Sequence, residues 1–175
     1  MRFFAGVVVT IVVLIVIGLI IIYSGWYNVS AANKEPGFSR WILSTTMDNS
    51  VEKHAEGITV PALNSPDQIK EGFAHYNAMC KGCHGAPGKS ETELAKGLNP
   101  KAPNLAHSAK DMPAEELFWV TKNGIKMTGM PAWGVTHSDD KIWAMVAFIE
   151  QLPGMTGAQY DSLAAQTPHT EEEEE

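Results

Sequence analysis

The chain is predicted to be all-α, a helical domain carried on one membrane-spanning helix and a short helical connector. Three observations predict this. Phe3 to Ile22 is an apolar run of twenty residues without an ionisable side chain. Further along, Ile69, Phe73, Tyr76 and Cys80 recur at steps of four, three and four, the spacing of one helix face. The only two cysteines, Cys80 and Cys83, stand at the end of that pattern with His84 directly after, and no β-rich segment flanks them.

Length and charge narrow the possibilities. A chain of 175 residues has room for one modest domain plus extensions. The formal net charge is −7, of which Glu171 to Glu175 supply five charges, so the rest carries −2. A nearly neutral body offers no basic field for nucleic acid. The terminal glutamates repel one another too strongly to fold.

Residues 1–27 read as a transmembrane anchor with an interfacial belt. At about 1.5 Å per residue, Phe3–Ile22 spans about 30 Å, the thickness of a bilayer's hydrocarbon core. The β-branched residues in this run are poor helix formers in water. In lipid the backbone must satisfy its own hydrogen bonds, which forces a helix. Tyr23, Trp26 and Tyr27 follow as an aromatic belt would. The competing reading is a cleaved secretory signal, with Val29-Ser30-Ala31 as the small-residue site. A signal's apolar region is usually about 7–15 residues, shorter than this one.

Residues 28–66 form the connector. A helix is predicted from Ser39 to Glu56, with Leu43, Met47, Val51, Ala55 and Ile58 as its stripe and Gly57 as its stop. Pro36-Gly37 breaks the chain before it, and Pro61 and Pro66 after it. Trp41 and Ile42 widen the apolar face, which suits a membrane surface or a partner somewhat better than the domain itself. His54 falls on the polar face with no second metal-type residue at helical spacing.

Residues 67–155 form the main domain and 156–175 a flexible acidic tail. The first helix of the domain runs from Asp67 to Cys83, with Ser65 or Asp67 as cap. A second spans Pro113 to Asn123, with Asp111 as a nearby cap and Gly124 as stop. A third spans Asp139 to Leu152, capped by Ser138 and ended by Pro153-Gly154. Its apolar face carries Ile142, Val146 and Ile149, enlarged by Trp143 and Phe148.

Cys80-Lys81-Gly82-Cys83-His84 is the pattern that receives one covalent c-type haem. Each thiol can add to one vinyl group of the porphyrin, and His84 is then an axial ligand. Two other chemistries use paired cysteines. Zinc needs a second ligand pair, and His107 and His137 lie 30 residues apart, far outside that spacing. A redox dithiol would open a helix within a βαβ pattern, whereas this pair closes a helical one.

Together these residues resemble class I cytochromes c, over about Gln68 to Leu152. The resemblance rests on the Gly72–Tyr76 helix leading into Cys80-Lys-Gly-Cys83-His84-Gly85, and on Pro103-Asn-Leu105. It rests also on Gly124-Ile-Lys-Met-Thr-Gly-Met130-Pro131-Ala-Trp133-Gly134 and on the closing helix with Trp143 and Phe148. It implies a class I cytochrome c fold in which first and last helices cross near the haem. It further implies that His84 and Met130 bind the iron and that the Pro103 carbonyl orients His84. Leu105 and Trp133 join the cofactor-binding set. Met127 competes with Met130 but lacks the Gly-Met-Pro context. Lys81, Lys89, Lys122 and Lys126 are candidates to ring the haem edge and steer an acidic partner.

The function implied is a membrane-tethered one-electron carrier, or an electron-transfer subunit of a respiratory or photosynthetic membrane complex. Its partners would be lipid, through the first helix, and redox proteins, chiefly an integral membrane complex. Haem attachment outside the bacterial cytoplasm, a property of the family, puts the N-terminus in the cytoplasm and the haem domain in the periplasm. The alternatives are a haem peroxidase or gas-binding sensor with a labile distal ligand, and a structural subunit whose haem is off the electron path.

Overall fold

The computed structural model describes residues 2–33 and 36–167, and every regular element among them is helical. The chain divides into two compact units, with the boundary between residues 34 and 35.

The first unit holds α1, Arg2–Ser24. An 18-residue stretch of it has a mean hydropathy of 3.3, and none of its 23 residues is buried. It is the one described helix long and apolar enough to cross a membrane. A helix of that length reaches about 34 Å.

The second unit begins with α2, Gly37–Ala55. It starts two residues before the predicted Ser39, with Pro36 at its N-cap, and Gly57 follows at φ +83°, as a helix-stopping glycine does. Its C-terminal half is seated: Val51 and Ala55 are buried. Phe38, Trp41, Ile42 and Leu43, in the first half, are exposed. The apolar stripe therefore covers the domain itself over its last two turns, and only the first turns suit a membrane or a partner.

The predicted helix 67–83 is longer and less regular. α3, Pro66–His75, runs into a π-helical turn, Tyr76–Cys80, and then into α4, Lys81–His84. Such turns recur at functional sites because they re-aim the side chains that follow. Ser65 occupies the N-cap position without a side-chain bond, and Asp67 lies in the first turn. Two short helices follow, α5 at Glu93–Gly97 and α6 at Leu105–Ser108. Thr92 and Asn104 cap them by accepting from the Ala95 and Ala106 amides.

α7, Ala114–Asn123, begins after Pro113 and stops at Gly124, φ +65°. Asp111, expected as its cap, instead ends a 3₁₀ turn at Ala109–Asp111. α8, Asp139–Ile149, ends three residues before the predicted Leu152, which opens a 3₁₀ turn. Ser138 holds its N-cap position, again without a side-chain bond.

The core sits where α3 and α8 cross. A Cβ on Gly72 would lie 1.8 Å from the Ala144 carbonyl oxygen, so only glycine permits this approach. Around that contact Phe73 meets Phe148 edge-to-face at 5.2 Å, and Tyr76 lies 5.3 Å from Phe148. α7 joins through Phe118, stacked on Trp143 at 4.0 Å.

The tail expected from residue 156 is ordered over its first part. α9, Gly157–Gln166, opens with a reciprocal capping box between Thr156 and Gln159. Tyr160 drives its docking. The ring is buried against Phe73 at 5.2 Å, and its hydroxyl donates to Asn77 Oδ1 at 3.1 Å. The glutamate run lies outside the described residues.

Candidate functional site

One apolar cavity of about 460 Å³ lies within the second unit. Cys80, Cys83 and His84 line one side of it. They reach it together because residues three and four apart share a helix face at the end of the α3–α4 rod. Cys80 is buried and Cys83 half-buried. Burial, and then the neighbouring Cys83, push the Cys80 thiol up to about 12, so unmodified it would be an inert thiol.

Three bonds fix the turn that carries these residues. Tyr76 Oη donates to the Gly85 carbonyl at 2.7 Å. Thr92 Oγ1 donates to the Gly82 carbonyl. His84 Nδ1 lies 2.9 Å from the Pro103 carbonyl oxygen, so that nitrogen is the donor and Nε2 keeps its lone pair. Burial lowers the His84 pKa, and the Pro103 bond opposes this in part. The ring is thus a neutral imidazole held in one tautomer, the form that binds a metal.

The loop after α7 forms a second wall, with Ile125, Thr128, Met130, Pro131 and Trp133. Its path depends on Gly124. A Cβ there would fall 2.7–2.8 Å from Pro131 C, Ala132 N and Met130 O. The Ile125 amide donates to the Met130 carbonyl at 3.2 Å, and the Met130 amide donates to Thr128 Oγ1 at 3.1 Å. Met130 is therefore presented on a bonded turn. Met127 is 94 % exposed at the tip of the same loop and takes a left-handed φ of +60°.

Pro103 lies on the cavity wall, as expected. Leu105 does not. It packs half-buried against the α3–α8 core, because it opens α6 with its side chain toward that core. The four expected lysines are also absent from the wall. Lys89 pairs with Asp161 at 2.5 Å and Lys122 with Asp139 at 2.6 Å, while Lys81 donates to Asn77 at 2.8 Å. Lys101, overlooked in the sequence, is the lysine that lines the cavity. Also overlooked is α2, which contributes Met47, Asp48, Val51 and Glu52. The fourfold spacing of Met47 and Val51 was visible, but nothing in it said which surface the stripe would cover.

The residues present fit a covalent haem. Two thiols, an imidazole held in one tautomer and a thioether line the same apolar cavity, and the thiols and imidazole are the groups a c-type haem needs. Among the described residues no cluster of three His, Cys, Asp or Glu is arranged to hold a bare metal ion.

Comparison with known proteins agrees. Residues 67–149 match the family model described as cytochrome c oxidase, cbb3-type, subunit III. A search of curated proteins found no match to the chain.

Proposed function

We propose that this chain, whose residues 67–149 are a monohaem class I c-type cytochrome domain with covalent haem c, is a membrane-tethered one-electron carrier. One observation carries the reading: Cys80, Cys83, His84 and Met130 line a single cavity. His84 Nε2 and Met130 Sδ would hold the iron, and the thiols would tie down the porphyrin. When bound, the haem supplies one-electron iron chemistry. Pro103 holds the imidazole's proton on Nδ1 and fixes the ring. The neutral thioether favours the reduced metal and raises the potential relative to a second histidine. Trp133 and the apolar loop keep water off the Met130 side, which acts in the same direction.

Electron transfer of this kind needs no open coordination position, so the reading assigns the chain no substrate turnover of its own. The apolar helix Arg2–Ser24 supports a single-pass anchor. With haem attachment outside the cytoplasm, the N-terminus is cytoplasmic and the haem domain periplasmic. The anchor confines the search for a partner to the plane of the membrane. The description of the matched family, an oxidase subunit, favours a membrane oxidase complex as that partner.

Carbon monoxide tests the closed site. The reduced protein should bind it poorly, Met130→Ala should bind it readily, and Met127→Ala should behave as the parent. Ready binding by the parent would favour the peroxidase or sensor reading instead. Copurification of a redox complex with the full chain in mild detergent would identify the partner.

A further inference from the structure

The matched domain begins at residue 67, yet α2, which lies wholly before it, forms part of the haem cavity's wall. The helix is held there by more than its tether. Val51 is 5 % and Ala55 1 % exposed. The His54 ring lies 5.4 Å from Trp119 of α7, and His54 Nδ1 lies 2.7 Å from the Ser50 carbonyl. Seated in this way, α2 turns Met47 and Val51 to the cavity, and with them Asp48 and Glu52.

The charge of this wall is lopsided. Asp111 and Glu116 also line the cavity, from the 3₁₀ turn and α7, whereas Lys101 is the one lysine there. Lys101 is itself paired with Glu91 at 2.7 Å. Glu115 and Lys110 stand beside this group in sequence, and Lys53 of α2 is paired with Glu56 at 2.7 Å. The carboxylates sense one another. Glu116 has a raised pKa, first through desolvation and then through Glu52, Glu115 and Asp48.

We infer that α2 is a working wall of the haem site, whose Asp48 and Glu52 carboxylates lower the haem's reduction potential. This rests on the electron-carrier reading above. Reduction places one electron, delivered by the redox partner, on the iron, so the haem site becomes more negative by one charge. Nearby carboxylates oppose that change by Coulomb repulsion. Both side chains are exposed, so salt should weaken the effect, the screening length being about 10 Å at 0.1 M.

Redox titration of the full-length holoprotein at low ionic strength tests this, with Asp48→Asn, Glu52→Gln, the double variant, and Glu150→Gln as an exposed control on the last turn after α8. Both single variants should shift the midpoint potential upward, and the double variant further. Added salt should shrink the double variant's difference from the parent. Glu150→Gln should match the parent. The visible spectrum of each variant reports whether methionine ligation survives. Should the double variant lose it, the single variants answer the same question. An unchanged potential in variants that keep the methionine ligand would overturn this role for α2 while leaving the carrier reading intact. Loss of methionine ligation in the parent itself would instead bring down the carrier reading.

Discussion

At the scale of single residues, the site depends on a few positions where the backbone has no alternative. Gly124 combines φ +65° with no room for a Cβ beside Pro131 and Ala132. Gly124→Ala should displace the Met130 turn, weakening the methionine-to-iron absorption band and raising carbon monoxide affinity, with haem attachment intact. Much of this scale was legible in the sequence. The thiols and His84 carry their chemistry in their spacing, and Gly-Met-Pro singled out Met130, which lines the cavity, over the exposed Met127. That Leu105 would pack against the α3–α8 core was not legible, because a leucine beside a ligand loop looks the same whether it faces a cofactor or a core. The pairings of the lysines were hidden for a related reason. Nothing in sequence spacing says that Lys89 will meet Asp161, 72 positions away.

Among elements, the α3–α8 crossing organises everything else. Gly72→Ala forces a methyl group into the Ala144 carbonyl, so the helices must separate. Overpacking of that kind costs about 1–3 kcal/mol or more, readable as a lower denaturation midpoint. α9 is a second support. Removing the Tyr160 ring should cost about 3–5 kcal/mol, by analogy with other buried aromatic truncations. Thermal or chemical denaturation of Tyr160→Ala checks this, and parent-like stability would mean that α9 is dispensable. Helix periodicity located α2, α3, α7 and α8 to within a few residues. It could not reveal the π-helical turn, which arises from packing. It also missed α9, whose single buried aromatic makes too little pattern to separate from a polar tail.

For the whole molecule, an apolar helix of membrane-spanning length precedes a compact unit that builds a cavity for one haem. The connector's helix α2 belongs to that unit and supplies part of the cavity wall, which its sequence alone did not disclose. The account turns on a closed coordination site, since a carrier needs one and a peroxidase or gas sensor does not. The most direct measurement is the absorption spectrum of the oxidised, full-length protein at the red edge of the visible. A weak methionine-to-iron charge-transfer band is predicted there, present in Met127→Ala and absent in Met130→Ala. A parent protein without that band, or a band that survives loss of Met130, would contradict the assignment of His84 and Met130 as the ligand pair.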